Sequence, residues 1–185
     1  PPPPAPRPPR PLSISLGGTF GLAEFSHKNP GVNLAARGKI EWRLPVKKQS
    51  LFSLYGIWSS GELNETVGPF IPIATIAQGK VFTPKLSGLG TLRGSYTVKL
   101  NKTFSLGTEG SCFFRTDNRT FSDRELKPGS SPFLGSELYG SLQWAPTPDF
   151  LFNFGGGAFF PNRGGAFISD APIRWTLRAG LVISI

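Results

Sequence analysis

The sequence predicts an all-β chain folded as a closed, antiparallel, eight-stranded up-and-down barrel, and three observations predict it. Eight segments alternate apolar and polar residues with a period of two, as strands do when their two faces meet different surroundings. The connections between those segments alternate between short and long. The composition, with 23 Gly, 19 Pro, 16 Phe and only 17% charged residues among 185, suits strands and turns better than helices.

Residues 1–11, PPPPAPRPPRP, form a basic polyproline stretch that extends about 3 Å per residue and reads as a linker or tail, or as a docking peptide for a partner. The strand-forming region is 12–185. Segment 12–25 sets Leu12, Ile14, Leu16, Phe20 and Leu22 against Ser13, Ser15 and Thr19. Segment 32–44 sets Val32, Leu34, Ile40, Trp42 and Leu44 against Asn33, Arg37, Lys39, Glu41 and Arg43. Segment 50–60 is less regular, with Phe52, Leu54 and Trp58 opposite Ser53, Tyr55 and Ser59. In 86–100, Leu92, Tyr96, Val98 and Leu100 oppose Thr91, Arg93, Ser95, Thr97 and Lys99. In 103–116, Phe104, Leu106, Cys112 and Phe114 oppose Ser105, Glu109, Ser111 and Arg115. Segment 134–145 sets Leu134, Leu138, Leu142 and Trp144 against Glu137, Tyr139, Ser141 and Gln143. Segment 149–160 sets Phe150, Phe152, Phe154 and Phe160 against Asn153, Gly155 and Gly157. Segment 172–185 closes the series, with Ile173, Trp175, Leu177, Leu181, Ile183 and Ile185 opposite Arg174, Thr176, Arg178 and Ser184.

The short connections are PVKKQ, Asn101-Lys102 and PTP; the long ones are SHKNPG, about 61–85, about 117–133 and NRGGAFISDA. No apolar run approaches the roughly 18 residues of a spanning helix. A closed barrel is then the one way to cross a bilayer, because its backbone groups pair between strands. Strict alternation of loop length, with an even strand count and both ends on the short-loop side, is the layout of an outer-membrane barrel.

Alternation alone leaves open which face looks outward, since a soluble ligand-binding barrel turns its apolar face inward. Aromatic placement argues for apolar side out. Trp42, Phe104 and Trp144 lie on the apolar face near the short-turn end, and Trp58, Phe114, Phe160 and Trp175 lie on it near the long-loop end. Two such girdles are what a bilayer's headgroup levels select. The other face is rich in Ser, Thr and Gly, unlike a soluble exterior.

The C-terminal run Arg178-Ala179-Gly180-Leu181-Val182-Ile183-Ser184-Ile185 resembles the terminal assembly signal of outer-membrane barrels, with Ile185 where that signal usually has Phe. Over 12–185 the pattern is similar to the eight-stranded family that includes the OmpA transmembrane domain, OmpX and OmpW. LQWAPTPDFLFNFGGGAFFP followed by APIRWTLRAGLVISI also resembles, more loosely, the closing strands of spirochaetal outer-membrane proteins. The resemblance implies a bacterial outer-membrane location with both termini periplasmic. It also implies contact with outer-membrane lipid, lipopolysaccharide or another glycolipid, and delivery by barrel-assembly machinery.

The inward face collects Arg37, Lys39, Arg43, Arg93, Lys99, Arg115, Arg174 and Arg178 against Glu41, Glu109 and Glu137. An eight-stranded lumen is just wide enough for its side chains to fill, so these predict a charge network that plugs it. Unpaired burial would be prohibitive, which puts Glu109 against Arg37, Arg93 or Arg178. The function expected is a structural or interaction anchor that displays loops outside and binds partners through those loops or residues 1–11. A narrow anion-preferring pore is the alternative, since a basic lining lowers the barrier for anions. A lipid-modifying enzyme is the third class. It has little behind it, because the lone His27 beside Ser26 makes no catalytic set and no G-x-S-x-G elbow exists. No enzyme activity, cofactor or metal is therefore expected.

Taken alone, the net charge of +9 would suit nucleic acid or an anionic membrane surface; no nucleic-acid partner is expected. Cys112 reads as a packing residue, and Gly155-Gly156-Gly157 as a place of close packing or curvature. Residues 69–77, PFIPIATIA, read as an exposed apolar patch or as strand extension.

Overall fold

The computed structural model describes residues 11–23, 31–45, 49–61, 67–72, 77–117, 126 and 131–184. Eight strands run in chain order: β1 Leu12–Ala23, β2 Gly31–Leu44, β3 Ser50–Ser59, β4 Leu89–Lys99, β5 Phe104–Arg115, β6 Phe133–Thr147, β7 Phe150–Pro161 and β8 Arg174–Ile183. Each pairs antiparallel with the next, so the strands form one up-and-down sheet in the order β1 to β8. Short hairpins impose this order, as the β4–β5 turn shows. There Asn101 Oδ1 accepts from the backbone N–H groups of Thr103 and Phe104 at 2.9 and 2.8 Å, an Asx turn that reverses the chain at once.

Register places like faces together. Trp42 lies opposite Leu12 and Phe52, Phe52 opposite Tyr96, and Trp144 opposite Phe104 and Phe152. The Trp144 ring stacks on both of its aromatic neighbours, with centroids 6.0 and 5.0 Å away. At the long-loop end Phe114 meets Phe133 at 5.3 Å.

The sheet differs from the predicted barrel in one respect: it is open. Among the described residues β8 makes no pairing with β1, and each of these strands is hydrogen-bonded along one flank only. Alternation along a strand specifies its two faces, whereas closure depends on tilt and curvature summed over all the strands.

The two faces have opposite fates. Apolar-face side chains are exposed, among them Leu16 at 85%, Leu177 at 77% and Trp175 at 72%. The polar face carries the buried groups, including Asn33, Ser59, Thr91, Ser111 and Glu137. At its long-loop end that face also holds an apolar cluster of Phe82, Leu89, Phe113, Leu134, Phe159, Ala166, Phe167 and Ala171. Leu134 departs from the expected apolar face: a bulge in β6 opposite Phe113 and Phe114 turns it into this cluster while Phe133 stays on the apolar face.

Candidate functional site: an internal loop seated on the polar face

The β3–β4 connection returns along the sheet instead of rising from it. At its base the Ser59 hydroxyl accepts from Leu89 N–H at 3.1 Å and lies within hydrogen-bonding reach of the Leu86 and Leu89 carbonyls. Thr116 Oγ1 donates to Ser59 O at 2.8 Å, tying β5 to the same corner. Residues 77–88 then lie against the polar face.

The grip on this loop is polar and comes from three strands. Glu137, on β6 and only 3% exposed, accepts three successive backbone N–H groups. Lys80 donates to Oε1 at 2.7 Å, and Val81 and Phe82 donate to Oε2 at 2.8 Å each. A cradle of consecutive amides is an anion-binding concavity, here turned inward on the protein's own carboxylate. Arg178 Nη2 of β8 donates to Lys80 O at 2.7 Å, and Arg93 Nη2 of β4 donates to Gln78 O. The two arginines therefore close on the loop from strands four places apart.

Aromatic contacts complete the seat. The Phe82 ring stacks on Phe159 at 4.3 Å and meets Phe113 edge-on at 5.3 Å. Phe167, from the β7–β8 connection, contacts Phe82 and Phe159 at 6.2 and 5.9 Å. The Arg174 guanidinium sits 5.7 Å from the Phe82 ring and 5.9 Å from Phe167, within cation–π range. Gly79 allows the chain to come this close, since a Cβ there would fall 2.1 Å from Phe82 O and 2.8 Å from Phe113 Cζ.

The inward charges predicted from sequence thus divide into groups. Arg93, Glu137, Arg174 and Arg178 converge on the loop. Glu109 Oε1 lies 3.3 Å from Arg93 Nε, so of Arg37, Arg93 and Arg178 it is Arg93 that meets it. The pair is close but poorly aligned, and neither atom has a hydrogen-bond partner among the described residues; Thr91 Oγ1 and Ser111 Oγ beside it have none either. Lys39 and Glu41 form a separate, half-exposed pair at 2.8 Å. Arg37 lies across Gly17 at the β1–β2 end of the sheet.

The girdle residues Trp42, Trp58, Phe114, Trp144, Phe160 and Trp175 are exposed on the apolar face, and Phe104 is half-buried against Trp144. Gly155 and Gly157 lie under the Tyr139 ring, where a Cβ would fall 2.1 Å from its hydroxyl and 2.8 Å from its edge. Of residues 69–77, Phe70 is buried and donates its N–H to Ser60 O at 2.9 Å, while Ile71 is exposed. Val67 bridges to Val32 in parallel, so this stretch folds back on the strand ends and does not extend β3 or β4. Residues 73–76, the Pro-rich residues 1–10, Ser26 with His27, and Ile185 lie outside the described residues.

The sequence-based reading missed the loop and the aromatic seat. Two signals for it were present. The doublets Phe113-Phe114 and Phe159-Phe160 must each send one ring to the polar face of a period-two strand. Glu137 has Ser111 and Phe159 as its cross-strand neighbours, so its partner had to come from elsewhere.

No protein-family model matches the chain, and no curated protein matches it.

Proposed function

We propose that the chain is an integral β-barrel protein of a bacterial outer membrane, with periplasmic termini, that acts as a structural and interaction anchor rather than as an enzyme. One observation carries this: the buried groups of the sheet lie on its polar side, toward the long-loop end, while the large apolar side chains of the other side are exposed. A water-soluble sheet reverses that arrangement, and soluble monomers rarely leave apolar patches beyond a few hundred Å² uncovered. Lipid is the solvent for which these exposures make sense. The girdles suit the dimensions as well. Phe104 and Phe114 lie ten residues apart on β5. That spacing is about 33 Å along a strand and about 25 Å along the membrane normal at a tilt near 40°, the height of an outer-membrane apolar band.

The internal loop and its arginine and glutamate partners support a plugged lumen. In this proposal the apolar face contacts outer-membrane lipid, lipopolysaccharide or another glycolipid, and barrel-assembly machinery inserts the chain. Protein partners meet the outer loops or the periplasmic Pro-rich residues 1–11, and nucleic acid has no role. The second reading, an anion-preferring conduit, is favoured by one feature: the loop covers β4 to β8 and leaves the polar faces of β1 and β2 with exposed Ser13, Ser15, Thr19 and Arg37.

The test is extraction and conductance. The folded protein should require detergent, resist SDS at room temperature and shift its migration on boiling; a monodisperse particle in plain buffer would sink the membrane proposal. In a planar bilayer the plugged form should show no steady current. Reproducible anion-selective current would replace plug with pore.

A further inference from the structure

We propose that β1 of one chain pairs with β8 of a second copy, so that each covers the sheet edge that the other leaves open. This rests on the membrane proposal above, because hydrocarbon offers no partner to the backbone N–H and C=O groups along an open sheet edge.

The free edges themselves carry the inference. Eight strands in strict alternation make β1 and β8 run in opposite directions. A copy placed head to tail therefore continues the antiparallel order without a break. The faces also match: β1 carries Leu16 and Phe20 outward, and β8 carries Trp175 and Leu177 outward. The strands are of similar length, 12 and 10 residues, and Leu12 and Ile183 lie at the same, short-turn end. β1 carries no charged residue, so Arg174 and Arg178 of β8 meet no like charge across the seam. A second copy supplies direction, face, length and charge together.

Closure of one chain on itself fits the structure less well. In a closed eight-stranded barrel the inward side chains fill the lumen. Here the polar-face residues of β4 to β7 are buried or half-buried toward the long-loop end, whereas Thr19, toward the same end of β1, and Arg178 of β8 are exposed. The sheet wraps its own loop from β4 to β8 and leaves β1 uncovered by it. Two copies joined at these edges fill one lumen with a seated loop from each side.

Two measurements test this on the full chain. The unmodified protein, refolded into lipid vesicles and extracted in mild detergent, should contain two chains per particle by light scattering; one chain per particle overturns the proposal. Then, in a Cys112→Ser background, chains carrying Leu16→Cys are refolded together with tagged chains carrying Ala179→Cys, and the thiols are cross-linked. Leu177→Cys and Leu181→Cys serve as register alternatives. A bond between the two kinds of chain, doubling the mass on a non-reducing gel, is expected for one of the three pairings. No such bond in any pairing overturns the proposal. So does a β1–β8 bond inside one chain of a double-cysteine variant, an outcome that leaves the membrane proposal standing as a closed eight-stranded barrel. Loss of the membrane proposal would show separately, as a protein that stays out of the vesicles.

Discussion

Glu137 Oε2 accepts the backbone N–H of Phe82 at 2.8 Å across 55 residues of chain, and this contact holds the β3–β4 loop on the polar face of the sheet. The same carboxylate takes the N–H groups of Lys80 and Val81. Hydrogen bonds to a charged group contribute about 1.5–3 kcal/mol each, more than neutral ones. Glu137 therefore does the work of a short stretch of sheet with one side chain.

Replacing Glu137 separates charge from shape. Glu137→Gln keeps one good acceptor but brings an NH₂ group against backbone donors, and should cost about 2–3 kcal/mol in urea unfolding. Glu137→Leu removes every acceptor and should release the loop, seen as rapid proteolysis near Lys80. A Glu137→Leu variant as protease-resistant as the parent would mean that the aromatic contacts suffice.

Gly79 tests how closely the loop must approach. Gly79→Ala puts a methyl 2.1 Å from Phe82 O and 2.9 Å from Glu137 Oε2. The loop must lift, at about 1–3 kcal/mol, with faster hydrogen exchange at the Lys80, Val81 and Phe82 amides. Gly94→Ala is the control, for a Cβ there meets nothing within 4 Å; it should leave both readouts unchanged.

Lipid contact predicts a dependence on depth. Leu92 and Leu177 are exposed near mid-strand on the apolar face, and Ile173 is exposed beside Trp175 at the long-loop end. Arg at Leu92 or Leu177 should cost about 2–4 kcal/mol in lipid vesicles, and Arg at Ile173 about 1 kcal/mol or less. Equal costs at the two depths would refute the assignment of the apolar face to lipid.

The Arg93–Glu109 pair supports the seat from below. Glu109→Gln strands the Arg93 charge in a confined space and should cost about 3 kcal/mol, toward the low end for a buried pair because both side chains remain partly exposed. Combining it with Arg93→Gln should recover only part of the loss, since Arg93 also holds Gln78 O. Full recovery would show that the contact with Gln78 contributes nothing to stability.

The strand number, the antiparallel order and the assignment of side chains to two faces were legible in the residues, because a period of two is a local property that each strand displays by itself. Leu12 through Leu22, or Phe150 through Phe154, needs no distant neighbour to declare its face. The apolar-face placement of the aromatic residues near strand ends followed for the same reason. The tight turn at Asn101 was equally local, set by one side chain and the amides that follow it. Glu109 was narrowed to three cations, and the fold chose Arg93, one diagonal step away on the neighbouring strand. The loop's seat was not legible, since it depends on Lys80, Val81 and Phe82 meeting a carboxylate more than fifty residues later and on Arg93 and Arg178 arriving from strands four apart. Closure was beyond the sequence too. Whether β8 meets β1 depends on tilt and curvature accumulated across every strand, and a pattern that repeats every two residues carries no record of that sum.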